Sequence, residues 1–260
     1  MMGLLNKEIT IMNFDETYFT QQKLQQFPHE NINVQQLKHV NLYCEEDSIT
    51  RLYSFLQKRQ RRGITFIGSG NYHYVTYLLL KEMKKPFTLV LFDNHPDLSQ
   101  HQGDRLLSCG SWVSYALSNN PLLKKVVIIG PTVQQAASIH NPRISVYSFK
   151  DKQTYSTTAI LSAIPTDNVY ISIDKDVLNT NEVQTNWDQG VMTVDMLIHY
   201  LTSILQFKKV EGVDICGEEK LSPLQAILPD YQTIILKNEK ANLKILQSCL
   251  KEAAVTLKGA

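Results

Sequence analysis

The sequence predicts an α/β protein, a mainly parallel sheet with helices on both faces in a three-layer α/β/α arrangement. Three observations predict it. Short runs rich in Val, Ile and Phe recur along the chain, as suits strands buried on both faces. Amphipathic stretches at helical spacing separate those runs, and strands alternating with helices require crossover connections. No internal repeat, low-complexity segment or Pro/Gly-rich linker interrupts the pattern.

In chain order, Ile9–Asn13 reads as the first strand. Ser48–Gln60 reads as a helix, because Ile49, Leu52, Tyr53 and Leu56 fall on one face. Ile64–Ile67 is a strand that runs into Gly68-Ser69-Gly70, and Tyr72–Met83 is the helix after that loop. Thr88–Phe92 is a strand and Ser111–Leu117 a helix. Lys125–Ile129, Ile144–Tyr147, Val169–Ile173 and Gly212–Ile215 continue the strands. The helices Val133–Ser138, Thr157–Ala163 and Val194–Leu205 lie between them, and Glu239–Ala254 follows the last.

The 260 residues are 43% hydrophobic and 20% charged, enough apolar content for a sizeable core. Basic and acidic residues number 26 and 25, so nothing points to a polyanion or nucleic-acid partner. The basic run Lys58-Arg59-Gln60-Arg61-Arg62 reads as a solvated helix end, where cations suit the dipole. The N-terminal apolar patch before Lys7 is too short for a signal peptide. No apolar run approaches a membrane span. Cys44, Cys109, Cys216 and Cys249 are scattered without CxxC spacing, which suggests free thiols and a cytoplasmic protein.

In parallel sheets the functional crevice lies beyond the carboxyl ends of the strands. Three such ends carry ligand-type side chains. "LVLFDNHPDLSQ" places Asp93, His95 and Asp97 at alternate positions. Pro96 biases His95 to extended backbone, so the three side chains can project together. "NVYISIDKDVLN" places Asp174 and Asp176 past a buried strand, a pair that repel unless a cation or proton lies between them. "GSGNYH" starts a helix at His73; it lacks the glycine and Lys-Ser/Thr of phosphate loops. Each stretch alone also reads as a polar loop. Together they put two imidazoles and four carboxylates at one end of the sheet, a donor set suited to divalent ions such as manganese and large enough for two.

The order "GSGNYH", "DNHPD", "SIDKD" resembles the arginase/agmatinase superfamily, the ureohydrolases, over about Gly63 to Glu218. The resemblance implies a single arginase/deacetylase-like α/β domain over residues 1–260. It implies two manganese ions per chain. His73, Asp97, Asp174 and Asp93 would hold one, and His95, Asp93, Asp174 and Asp176 the other, the shared aspartates bridging. Water activated there would attack a guanidinium carbon and release urea.

The chain also departs from that family. Cys109 or Gly110 stands where typical members carry a proton-transfer histidine, and His101 comes too early. In "GVDICGEE", Gly217 occupies the place of the guanidinium-holding acid and Glu218 follows it. Glu218 is therefore the expected guanidinium partner and Cys109 the expected proton-transfer substitute. Each also has a structural reading, a surface acid and a packing thiol. Asp214 reads as an orienting or a turn residue, and Asp188 as a loop cap within reach of substrate. His29, His39, His140 and His199 have no motif context. An intact metal set in a changed substrate shell suggests a small-molecule or peptide guanidino substrate, including arginine within a peptide. The alternatives are a single-zinc deacetylase-like amidohydrolase on the same fold and a non-enzymatic metal-binding protein. Superfamily members are often oligomers, so a homo-oligomer is compatible with the resemblance.

Overall fold

The computed structural model describes residues 2–59, 62–99, 107–149 and 154–251. Among the described residues eleven strands form: β1 Gly3–Leu4, β2 Glu8–Asn13, β3 His29–Asn33, β4 Tyr43–Cys44, β5 Gly63–Gly68, β6 Phe87–Phe92, β7 Leu107–Ser108, β8 Leu123–Gly130, β9 Ile144–Ser148, β10 Asn168–Asp174 and β11 Lys209–Cys216. The helices are α1 Gln22–Gln25, α2 Glu46–Lys58, α3 Val75–Leu80, α4 Trp112–Asn119, α5 Val133–Ala137, α6 Thr157–Ser162, α7 Val194–Phe207, α8 Pro223–Ile227 and α9 Pro229–Leu250. The main sheet runs β3-β2-β5-β11-β10-β6-β8-β9, every pair parallel, with β1 added beside β11. β4 and β7 pair separately and antiparallel.

Side chains alternate across a strand, so the continuous apolar runs feed two cores. Phe87, Leu89 and Leu91 face one core, with Leu52 and Leu56 of α2, Leu78 and Leu79 of α3, and Trp112 of α4. Val90, Phe92, Ile171 and Ile173 face the other, with Ile160 of α6, Leu197 and Leu201 of α7, and Ile245 and Leu246 of α9. This is the expected three-layer α/β/α arrangement. Register then levels the strand ends. Phe92 pairs with Ile173, Asp174 with Cys216, and Cys216 with Gly68. The central strands β5, β11, β10 and β6 therefore deliver their carboxyl ends side by side.

The sequence expectation lacks β1, β4, β7, α1 and α8, and three further points differ. β3 is an added edge strand of mostly polar residues with only Ile32 buried, so it carries no apolar run. α9 begins at Pro229, well before Glu239, because its early turns bury the polar Asn238 and expose Leu236, which breaks the apolar stripe. Of the basic run, Lys58 is the exposed end of α2, but Arg59, its C-cap, is not solvated. Arg59 is 7% exposed, and its Nη2 pairs with Glu82 Oε2 at 2.5 Å while Nη1 donates to Thr65 Oγ1. Gln60, Arg61 and residues 252–254 lie outside the described residues.

Candidate metal centre

Asp93 leaves β6 as its N–H donates to Ile129 O. The chain then bends at Asn94 and His95 instead of staying extended. The cause is local: Asp93 Oδ1 accepts the His95 N–H at 2.6 Å, an aspartate-capped turn. Asp97 closes the bend at φ 49°, and its Oδ2 accepts the Trp112 Nε1–H at 2.6 Å. The expected convergence of Asp93, His95 and Asp97 is thus made by a turn. On β10, Asp174 Oδ1 accepts the Asp176 N–H, which folds Lys175–Val177 into one short 3-10 turn.

His73 is 1% exposed, and its ring is oriented from behind. Ser172 Oγ gives its hydrogen to Asp214 Oδ1 at 2.7 Å, so that oxygen accepts from His73 Nε2–H at 2.9 Å. A neutral ring then turns a bare Nδ1 forward, the arrangement usual for a ligating histidine. That Nδ1 lies 3.3 Å from Asp93 Oδ2, 3.1 Å from Asp97 Oδ2 and 3.4 Å from Asp174 Oδ2. His95 Nδ1 lies 2.8 Å from Asp176 Oδ2 and 3.6 Å from Asp93 Oδ1. Asp93 therefore shows one oxygen to each imidazole.

Lone pairs so grouped need positive charge among them, and this donor set fits divalent cations. Asp93 Oδ2, buried, has no hydrogen-bond partner. Two groups, His73–Asp93–Asp97 and Asp93–His95–Asp176, each bring their donor atoms within 4.8 Å of one another. Without a cation the cluster draws protons. Burial, with the neighbouring acids, raises the carboxyls of Asp93, Asp97 and Asp174, and Asp176 to about 7. For His95, burial is outweighed by the hydrogen bonds its ring N–H donates to Asp176 and Asp93, which push the imidazole up to about 11. The His73 imidazole also rises against its burial, through Cys216, Asp93 and Asp97.

These groups form the floor of a cavity of about 460 Å³, whose walls include Gly70, Ser99, Cys109, Gln135 and Trp187. A Cβ on Gly70 would stand 3.0 Å from Asp174 Oδ2 and from the Trp187 ring, so any larger residue there would press on both.

The Arginase family profile matches residues 9–218. This chain belongs to the arginase family. An uncharacterised protein of Thermotoga maritima is 37% identical over 190 residues, covering 73% of this chain and 69% of its own length. The structure of Entamoeba histolytica arginase with L-ornithine has a TM-score of 0.68 at 15% identity, covering 95% of this chain and 99% of that one. The proclavaminate amidino hydrolase of Streptomyces clavuligerus has a TM-score of 0.65 at 14% identity, covering 96% and 94%. At such identities these two structures establish a common fold.

In this arginase-family chain the expected substrate shell needs correction. Glu218 does not line the metal cavity, and its carboxylate is consumed internally. Lys175 Nζ pairs with Oε1, Asn242 Nδ2 also donates to Oε1, and Gln21 and Asn238 amides donate to Oε2. Glu218 is 1% exposed and Lys175 fully buried, so no incoming guanidinium can take that carboxylate without breaking the ion pair. Cys109 does line the cavity, and burial and the Asp97 charge raise its thiol to about 12. Asp214 is a buried orienting residue behind His73. Asp188 is exposed, and its carbonyl accepts from Asn94. His29, His39, His140 and His199 are not among the cavity's walls, and His101 lies outside the described residues.

Sequence reasoning missed Ser172, Trp112, Lys175, Cys216 and Trp187. Ser172 had a signal, since it lies two residues before Asp174 on the same strand face. Lys175 carried no such signal, because a lysine between two aspartates reads as solvated.

The four cysteines are free thiols. Among the described residues, no helix is long and apolar enough to cross a membrane.

Proposed function

We propose that this arginase-family protein is a metal-dependent hydrolase that opens a C–N bond of a guanidino group and releases urea. The observation that carries the reading is Asp93, whose two carboxylate oxygens face His73 and His95 separately. His73, Asp93, Asp97 and Asp174 would hold one divalent cation, and His95, Asp93, Asp174 and Asp176 the second. Manganese suits so oxygen-rich a set. When bound, such a pair supplies a water of lowered pKa.

The chain's own residues do the rest. Ser172 and Asp214 engage His73 Nε2–H, so that Nδ1 faces forward and can exchange its proton for a cation. The Trp112 indole holds Asp97 in its bend. The Cys109 thiol, protonated at neutral pH, is a donor and not a base, and it faces the same cavity as the leaving nitrogen. With Glu218 engaged, the guanidino group meets the Trp187 ring and the Gln135 and Ser138 side chains, where a planar cation can stack on an aromatic face. The cavity suits one small guanidino compound or an arginine side chain of a peptide.

The test is elemental analysis joined to a urea-release screen over arginine, agmatine and arginine-containing peptides. Two divalent ions per chain, with activity lost to chelator and regained with metal, are expected. Protein that retains no metal overturns the reading. The engaged Glu218 and the thiol at position 109 also favour a second reading, a metal-binding protein without hydrolysis. Metal-loaded protein that releases no urea from the whole panel would select it.

A further inference from the structure

Cys216 ends β11, two residues after Asp214, so both side chains leave the same face of the strand. It is fully buried, and its Sγ lies 3.2 Å from Asp174 Oδ2, to which it donates as a thiol. The donor atoms of His73, Asp174 and Cys216 all lie within 4.8 Å of one another. A buried cysteine ordinarily serves as a small apolar packing group. Cys44 and Cys249 fit that description, buried within the two apolar cores. Cys216 also borders an apolar core, but its Sγ meets a carboxylate and an imidazole as well. A second, independent observation points to a ligand beside the same imidazole. Asp93 Oδ2, on a residue only 1% exposed, has no hydrogen-bond partner and faces the same His73 Nδ1 at 3.3 Å.

We infer that the Cys216 thiolate is a ligand to the cation held at His73, which makes that position selective for a thiophilic divalent ion such as zinc, cobalt or ferrous iron. The inference deepens the metal-centre reading and rests on it. On ligation a sulfur lone pair goes to the cation and the thiol proton leaves to water, with no change of oxidation state. Thiolate donors favour zinc over manganese, whereas carboxylate and imidazole alone accept either. The two halves of the centre then differ. The His73 half carries sulfur, and the His95 half, built by Asp93 and Asp176, does not.

The test loads the full chain with cobalt(II) and reads its absorption spectrum, for the wild type and Cys216→Ser. Ligand-field bands accompanied by a near-ultraviolet sulfur-to-cobalt charge-transfer band are expected in the wild type. Cys216→Ser should keep the former and lose the latter, and its zinc-over-manganese preference should drop at least tenfold. X-ray absorption of the zinc-loaded wild type needs no variant and should show a sulfur neighbour at about 2.3 Å. Ligand-field bands without charge transfer, together with a sulfur-free zinc shell, overturn the Cys216 assignment and leave the metal centre standing. A charge-transfer band that survives Cys216→Ser moves the sulfur to another cysteine and also overturns it. No cobalt bands at all removes the metal centre and this assignment together.

Discussion

At the scale of single residues, the centre depends on how its ligands are held from behind. Ser172 makes no contact with the cavity, yet its one hydrogen decides which nitrogen of His73 faces forward. Ser172→Ala should weaken metal affinity about 10- to 100-fold, the usual effect of losing a ligand's hydrogen-bond partner. Isothermal titration with manganese measures it, and an unchanged affinity would refute the relay. Lys175 and Glu218 form the other decisive pair. Glu218→Ala strands a buried ammonium and should cost about 3–5 kcal/mol. The double variant Lys175→Met, Glu218→Gln should recover most of that loss in urea denaturation, because no charge stays unpaired. The cluster of His73, Asp93, His95, Asp97, Asp174 and Asp176 was legible only by joining three strand ends, since each stretch alone also reads as a polar loop. Lys175 was not, because a lysine between two aspartates looks solvated. Glu218 was misassigned because its spacing nearly matched the family's acid, and spacing does not reveal an internal cation.

At the scale of elements, the strand ends do the positioning. β5, β6, β10 and β11 end at one level, and just past β11 the chain needs backbone that favours glycine. Gly217 has φ 84°, and a Cβ there would fall on Asp174 Oδ1 and the Lys175 backbone. Gly217→Ala should therefore cost about 1–2 kcal/mol for the left-handed backbone alone. It should also displace Asp174 and weaken metal binding. Paired denaturation and metal titrations check both, and a loss of stability with full metal affinity would show that Asp174 tolerates the shift. The buried strands were readable because burial on both faces writes itself as unbroken Val, Ile and Phe. The polar edge strand β3 was not, because its ladder is backbone hydrogen bonding to β2. The first turns of α9 were hidden for a related reason. They bury Asn238 for its bonds to Glu218 and Gln184, so a helix packed through amides shows no apolar stripe.

At the scale of the whole molecule, the metal cluster sets how stability responds to pH. We propose that residues 1–260 form one domain, which should melt in a single transition. Asp93, Asp97, Asp174, Asp176 and Asp214 are buried with raised carboxyl pKa values, Asp176 at about 7 and Asp214 at about 6. Unfolded, such groups ionise near ~4. Between ~4 and ~7 the metal-free folded state thus holds more protons than the unfolded one, and stability falls as pH rises through that window. His95 acts in the same direction. Raised to about 11, it stays protonated in the folded state while the unfolded imidazole loses its proton near ~6.5. Metal-free protein should therefore melt lower at pH 8 than at pH 5, by an amount on the order of 5 °C or more. A divalent cation replaces those protons, so its binding releases them and tightens as pH rises. Saturating manganese should raise the melting temperature more at pH 8 than at pH 5, through its preference for the folded state. Calorimetry at both pH values, with and without metal, reads all four states. A metal-free protein that becomes more stable toward pH 8 would mean that these carboxylates are already compensated within the fold and have no need of a cation.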